Sequence, residues 1–364
     1  MLEKGMIGVK QLFIYIIMFT IGSSILVAPS GLVRDGKQDG WMASILDMGI
    51  GLLFVWLYYT LSQRFPKLTL VEFSEEIFGK WIGKVVSLSF LLYFFILAFS
   101  LLREIGDFMT TQILPKTPIE FIFMTFLGIV IMGTRLGLET QARAAEIFFP
   151  WIFLLFLIMV VSMLPEIHVE NMQPMLEGGI KPVIWATYRN LGLPYLEQVV
   201  FLMVFPYVHR IEKARKALWG GTLFGGMMIT IVTLLSILVI TPDLTAIQIY
   251  PSYVLAKKIS IGHFFERIEA VMAGIWFLTL FFKLTLCFYA TALGVAQTLK
   301  LRDYRFLTFP LGMLLLVLSI VGSPNIIYFQ RFIAEIWTPY SMTYGLFLPL
   351  LLLGVAMFRK KCSN

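Results

Sequence analysis

The sequence predicts an all-α integral membrane protein of ten transmembrane helices in two five-helix halves, with helices 1 and 6 broken near their middles. Three observations carry this. Of the 364 residues, 59% belong to the hydrophobic set and only 14% are charged, about half the charge of a soluble domain. Apolar runs of about 20 residues, the length that crosses a bilayer core about 30 Å thick, recur along the whole chain. Glycine and proline interrupt the first and the sixth of these runs.

The runs are 10–31, 41–62, 84–102, 119–134, 144–164, 184–207, 218–240, 266–298, 304–322 and 337–358. The first is too long for a signal h-region and has no A-x-A cleavage site, so it is read as a retained span. With the N-terminus inside, 18 of the 29 Lys and Arg fall on cytoplasmic segments and 10 on outer loops, with Lys283 alone inside a span. This bias places both termini in the cytoplasm. An odd number of spans would put Arg359, Lys360 and Lys361 outside. The net charge of +7 therefore reports topology, because the basic residues sit between apolar runs and form no nucleic-acid-binding patch. The chain is read as one transmembrane domain, 1–364, with halves 8–164 and 182–358.

Two connections are more than turns. Residues 66–83 read as an amphipathic helix with Leu70, Phe73 and Ile77 about a turn apart, capped by Thr69 with Glu72 as reciprocal partner. Residues 241–265, on the outer side, hold Pro242, Tyr250, Pro251 and Tyr253, and either lie at the interface or partly cover a site.

The first span carries Thr20-Ile-Gly22-Ser23-Ser24 at its middle, followed by Pro29; the sixth carries Asn190-Leu-Gly192-Leu-Pro194-Tyr-Leu196-Glu197. Proline removes a helical hydrogen bond and glycine eases departure from helical geometry. Backbone groups freed at membrane depth must line a cavity or be buried in protein. Breaks in the first member of each half point to an inverted-repeat transporter fold with its site at the midplane. The plainer reading of Gly22 is close helix packing.

Lys283 lies within Trp276-Phe-Leu-Thr-Leu-Phe-Phe-Lys283-Leu-Thr285-Leu-Cys287-Phe-Tyr289. A cation at a helix centre costs about 2.5–3.5 kcal/mol on insertion scales, so it needs a carboxylate, carbonyls or a wet cavity. It either takes the place of a coupling cation or forms a static pair, for instance with Glu197. Glu197, directly after the sixth-span break, is a proton acceptor, the partner of Lys283 or a structural acid. Thr285 and Tyr289 share a helix face. Aimed at the breaks, their hydroxyls complete a pocket for a small zwitterion whose carboxylate is held by exposed amides; otherwise they bond their own backbone and pack. Arg103, Glu104 and Asp107, with Glu266, Arg267 and Glu269, read as interfacial anchors or as a gate.

Enzymatic chemistry has little to stand on. His168, His209 and His263 fall in loops, and there is no HExxH motif, paired intramembrane Asp, Ser/His arrangement or phosphate-binding glycine loop. No metal site or cofactor is expected. The two cysteines, Cys287 and Cys362, imply no disulfide framework.

Several stretches resemble the permease-like B subunits of spore germinant receptors, the GerAB type, of the amino acid–polyamine–organocation transporter superfamily. They are Gln11 to Pro29; Lys37-Gln-Asp-Gly-Trp41; Phe65-Pro-Lys-Leu-Thr-Leu-Val-Glu72 with Phe78-Gly-Lys-Trp-Ile-Gly83; and Tyr250-Pro-Ser-Tyr253 through Glu266-Arg-Ile-Glu269 to Trp276 and Lys283. The resemblance implies a LeuT-like 5+5 inverted-repeat fold and a role in sensing a small nutrient, often an amino acid, in the inner membrane of a bacterial endospore. It also implies a membrane-bound A subunit and a lipoprotein C subunit as partners. Carried over residue by residue, the ligand pocket falls on Gly22, with Ser23 and Ser24 beside it, on Leu196, and on Thr285 and Tyr289. A contribution from the third span near Leu97 to Ser100 is implied, while Glu197 and Lys283 are candidates for coupling or gating. Gly22-Ser23-Ser24 replaces the glycine-rich triplet of general carriers, which leaves the ligand open. The competing expectations are a proton- or cation-coupled amino-acid transporter and a purely structural subunit.

Overall fold

In a computed structural model, which describes residues 3, 5–258 and 268–359, every regular element is helical. The predicted roles of Glu266, Arg267, His263 and Cys362 lie outside the described residues. The first predicted span becomes two helices, α1 (Val9–Ile21) and α2 (Ser24–Gly36). They are followed by α3 (Gly40–Arg64), α4 (Leu70–Phe78), α5 (Lys80–Phe108), α6 (Ile119–Leu136) and α7 (Leu138–Met163).

The sixth run starts as α8 (Ile180–Asn190), unwinds over 191–195 and continues as a 3₁₀ segment, Leu196–Met203. The remainder comprises α9 (Ile211–Leu235), α10 (Pro242–Ile247), α11 (Pro251–Lys257), α12 (Ile268–Thr298), α13 (Thr308–Val321), α14 (Ile326–Arg331), α15 (Thr338–Met342) and α16 (Leu348–Phe358).

Among the described residues, seven helical runs are long and apolar enough to cross a membrane: Ser24–Arg64, Lys80–Ile113, Ile119–Leu136, Leu138–Glu166, Ile211–Ile240, Glu269–Thr298 and Ile326–Phe358. The difference from ten has a local cause. Gly22 and the 191–195 turns shorten the helices on either side of them, and the run over 304–322 yields only the shorter apolar helix Arg305–Val321.

The amphipathic connection forms α4, and its cap is the predicted reciprocal one. The Glu72 carboxylate accepts from the Thr69 amide at 2.9 Å, and the Thr69 hydroxyl accepts from the Glu72 amide. Leu70, Phe73 and Ile77 are all buried.

The core is built around α1, α12 and the 3₁₀ segment, whose residues are almost completely enclosed. Lipid-length apolar faces remain on α6, α7 and α13, where Ile129, Trp151 and Met313 are more than half or about half exposed. An isolated parallel bridge joins Ile7 to Val208, with the Ile7 amide donating to Tyr207 O at 2.8 Å and the His209 amide to Ile7 O at 2.9 Å. The entry to α1 is thereby tied to the exit of the 3₁₀ segment. The outer connection folds into α10 and α11, and Tyr250 and Tyr253 both meet the Phe108 ring edge-on at 5.1 Å.

Candidate functional site

Two helix interruptions meet at one buried cation. The Lys283 ammonium, fully enclosed on α12, lies 2.5 Å from Glu197 Oε2, whose side chain is 1% exposed. It also donates to Ser23 Oγ and to the Leu193 carbonyl, both at 3.1 Å, and sits 5.1 Å from the Phe19 ring centroid. Each partner comes from an interruption: Ser23 from the α1–α2 junction, and Leu193 and Glu197 from the unwound stretch after α8. Carbonyls at a helix C-terminus and a carboxylate are what an ammonium needs at this depth.

Gly22 is required by the same approach. A Cβ built there would lie 2.5 Å from Lys283 Cδ and 2.9 Å from the Phe19 carbonyl oxygen. Any larger residue displaces the lysine stem, so glycine here makes room for the cation.

The other Glu197 oxygen accepts from Trp337 Nε1 at 2.7 Å. Trp337 stacks on Tyr93, which stacks in turn on Tyr344 with centroids 4.7 Å apart. Next in the chain, Gln198 donates to Thr20 Oγ1 at 3.0 Å and accepts from Thr222 at 2.9 Å, joining the 3₁₀ segment to α1 and α9. Leu196 contributes its backbone as well as its side chain: its carbonyl accepts from Tyr58 OH at 3.2 Å. Its atoms also fill the space beside Gly345.

Thr285 and Tyr289 do lie on one face of α12, but their hydroxyls have other partners. Thr285 donates to Phe281 O at 2.7 Å, and its methyl lies against Gly133 of α6. Tyr289 is 3.3 Å from the Glu3 carboxylate, which Tyr304 also reaches at 3.0 Å. Gly22, Ser23, Leu196, Glu197 and Lys283 thus come together, while Thr285 and Tyr289 stand further along α12 towards the N-terminal segment.

Four buried polar atoms around the cation have no hydrogen-bond partner among the described residues: Ser24 Oγ, Ser100 Oγ, Glu104 Oε1 and Trp276 Nε1. Ser100 and Glu104 are one turn apart on α5, and Trp276 is two turns from Lys283 on α12. Phe108, one turn beyond Glu104, packs against Trp276 with centroids 4.7 Å apart. Leaving such a group dry and unpaired costs about 1–3 kcal/mol, which makes their concentration here notable.

The sequence reading treats Glu104 as a helix-end residue, and the signal that distinguishes it is the i, i+4 spacing to Ser100. Its neighbour Arg103 is buried too. It chelates Asp107 at 3.0 Å and reaches the carbonyls of Ser319 and Ser323.

A narrow pocket leads from the 191–195 turn to the surface between α2, α8 and α14, bordered by Val27, Arg34, Asn190, Leu193 and Ile333. Its volume is about 50 Å³, room for a few water molecules. At its mouth Arg189 pairs with Asp35 at 3.1 Å.

Comparison with known proteins agrees with this architecture. The family described as "Spore germination protein" matches residues 6–327. The chain belongs to that family. Spore germination protein KB of Bacillus subtilis is 29% identical over 99% of this chain and 97% of its own length. Spore germination protein YndE of the same organism is 29% identical over 81% of each chain.

Among solved structures, the nucleobase-cation-symport-1 transporter Mhp1 superposes with a TM-score of 0.69 at 13% identity, over 96% of this chain and 75% of that one. MhsT in complex with L-phenylalanine gives 0.63 at 13% identity, over 95% and 97%. The fold is therefore that of LeuT-type transporters, and the protein is a spore germination protein on a transporter-like scaffold.

Proposed function

We propose that the chain is the ligand-binding B subunit of a spore germinant receptor, and that it senses a small nutrient of the amino-acid class. In this reading ten transmembrane helices form two inverted halves, 8–164 and 182–358, with both termini cytoplasmic in the spore inner membrane. The α1–α2 pair is broken helix 1, and α8 with Leu196–Met203 is broken helix 6. The observation that carries the proposal is Lys283, held by both interruptions and by Glu197.

The amides at the start of α2 suit a carboxylate, and the unpaired Glu104 oxygen suits an ammonium. Ser24, Ser100 and Trp276 supply further polar contacts between them. Ligand binding favours one packing of the broken helices against α5 and α12. A shift of this kind can be no larger than the ligand's differential affinity for the two packings. The membrane-bound A subunit and the lipoprotein C subunit read the change.

A protein-borne cation wedged between the breaks supports a receptor over an ion-coupled carrier, because the lysine cannot leave with the ligand. The test is equilibrium binding of a labelled amino-acid pool to purified protein in nanodiscs, comparing wild type with Gly22→Leu. Saturable binding is expected for wild type. Gly22→Leu is expected to weaken it at least tenfold, because the leucine pushes Lys283 out of both interruptions. Unchanged binding by a folded Gly22→Leu protein would remove the breaks from the ligand site.

A further inference from the structure

We propose that the cleft between α6, α12 and α13 is a binding site for one anionic phospholipid, gripped at its phosphate by Arg135 and Arg305. The two arginines brace each other. Arg135 Nη1 donates to Arg305 O at 3.1 Å, and Arg305 Nε donates to Arg135 O at 2.9 Å. The Arg135 guanidinium also lies over the Phe309 ring at 5.0 Å, and that of Arg305 lies 5.8 Å from the Tyr304 ring centroid.

Both side chains are exposed, and neither is within ion-pair distance of a carboxylate among the described residues. The nearest acid in sequence, Asp303, is turned to the Arg305 amide at 3.0 Å. Two cations are thus held side by side, with their remaining N–H groups free and no acid to neutralise them. Arginine forks of this kind match phosphate oxygens.

What lies below the pair selects a lipid over a soluble anion. One groove, about 500 Å³, runs from the arginines along Gly128, Ile131, Met132 and Phe309. A second, about 390 Å³, runs along Phe126, Ile129, Phe148, Phe277 and Phe281. Both are bordered by Met132 and Leu136, which are 60% and 53% exposed. The two residues form a ridge with an apolar furrow on each side, the shape that two acyl chains of one lipid would straddle. The positive-inside count places this end of α6 at the cytoplasmic leaflet, where anionic headgroups meet basic pockets between helices. The second furrow reaches Gly133 and Gln141. Behind them stand Thr285 and the Tyr15 hydroxyl, which donates to Gln141 at 2.7 Å. A lipid seated here braces the outer face of the helix that carries Lys283.

The test uses the purified full chain in nanodiscs of phosphatidylcholine with or without phosphatidylglycerol, and in detergent with inorganic phosphate alone. Retained lipid is counted by native mass spectrometry, and the thermal unfolding midpoint is recorded. Phosphatidylglycerol should be retained in preference to phosphatidylcholine and should raise the midpoint, while phosphate alone should do neither. Arg135→Gln/Arg305→Gln should weaken retention about 30-fold, from two interfacial charges. Met132→Trp, which fills the furrows and leaves the arginines in place, should weaken it as well.

Equal retention of both lipids by wild type would overturn the proposal. So would stabilisation by phosphate alone, or retention by folded Met132→Trp equal to that of wild type. None of these outcomes bears on nutrient binding, which is measured separately.

Discussion

Lys283 and Glu197 are each enclosed to 1% exposure or less, 2.5 Å apart, and at this depth neither charge is affordable alone. The pair is held by its surroundings as much as by its own attraction: Ser23 and Leu193 take ammonium protons, and Trp337 satisfies the second carboxylate oxygen. Removing one member leaves the other charge buried and unpaired, a loss of about 3–5 kcal/mol. Lys283→Met should therefore destabilise the protein by that order. The double variant Lys283→Met/Glu197→Gln should recover most of the loss, because the amide keeps the Trp337 bond without a charge. Thermal unfolding of the two single variants and the double, read as a cycle, measures this. A double variant no more stable than Lys283→Met would show that charge pairing does not hold the two interruptions together.

Among the elements, α4 shows a helix whose start is written in the chain. The Thr69–Glu72 box is local in sequence, and it forms as the spacing predicts, with an added bond from Thr69 Oγ1 to Gln297 Oε1 at 2.8 Å. Thr69→Ala should cost about 1 kcal/mol, seen as a lower unfolding midpoint with nutrient binding retained; an unchanged midpoint would mean that the cap contributes nothing. Helix interruptions are legible for the same reason, because Gly22 and Pro194 act on their own turns. The 3₁₀ winding of Leu196–Met203 is not legible. It answers to distant groups: Tyr58 on the Leu196 carbonyl, and Thr20 and Thr222 on Gln198. The common face of Thr285 and Tyr289 follows from helical period, but what that face meets does not. Gly133 and Glu3 are more than 100 residues away, and nothing local announces them. The unpaired carboxylate of Glu104 was equally hidden, since burial of a residue near a helix end depends on which neighbours cover it.

For the whole molecule, a transporter scaffold in a spore germination protein raises the question of whether ligand crosses the membrane or only binds. Several contacts close the described structure at both ends of the path. Arg189 pairs with Asp35 at one, and at the other Glu3 meets Tyr289 and Tyr304 while Ile7 bridges to Val208. A carrier must open these ends in turn and cycle a coupling ion, whereas a receptor needs only to shift between packings. The internal ammonium of Lys283 occupies the junction of the breaks in either case, and favours the receptor. The most direct measurement reconstitutes the protein into sealed liposomes bearing a proton gradient and counts labelled amino acid retained per protein molecule. The receptor account predicts saturable retention of about one ligand per chain, for one site per molecule, indifferent to an uncoupler. Accumulation far above that ratio, abolished by the uncoupler, would contradict it and make the chain a proton-coupled transporter.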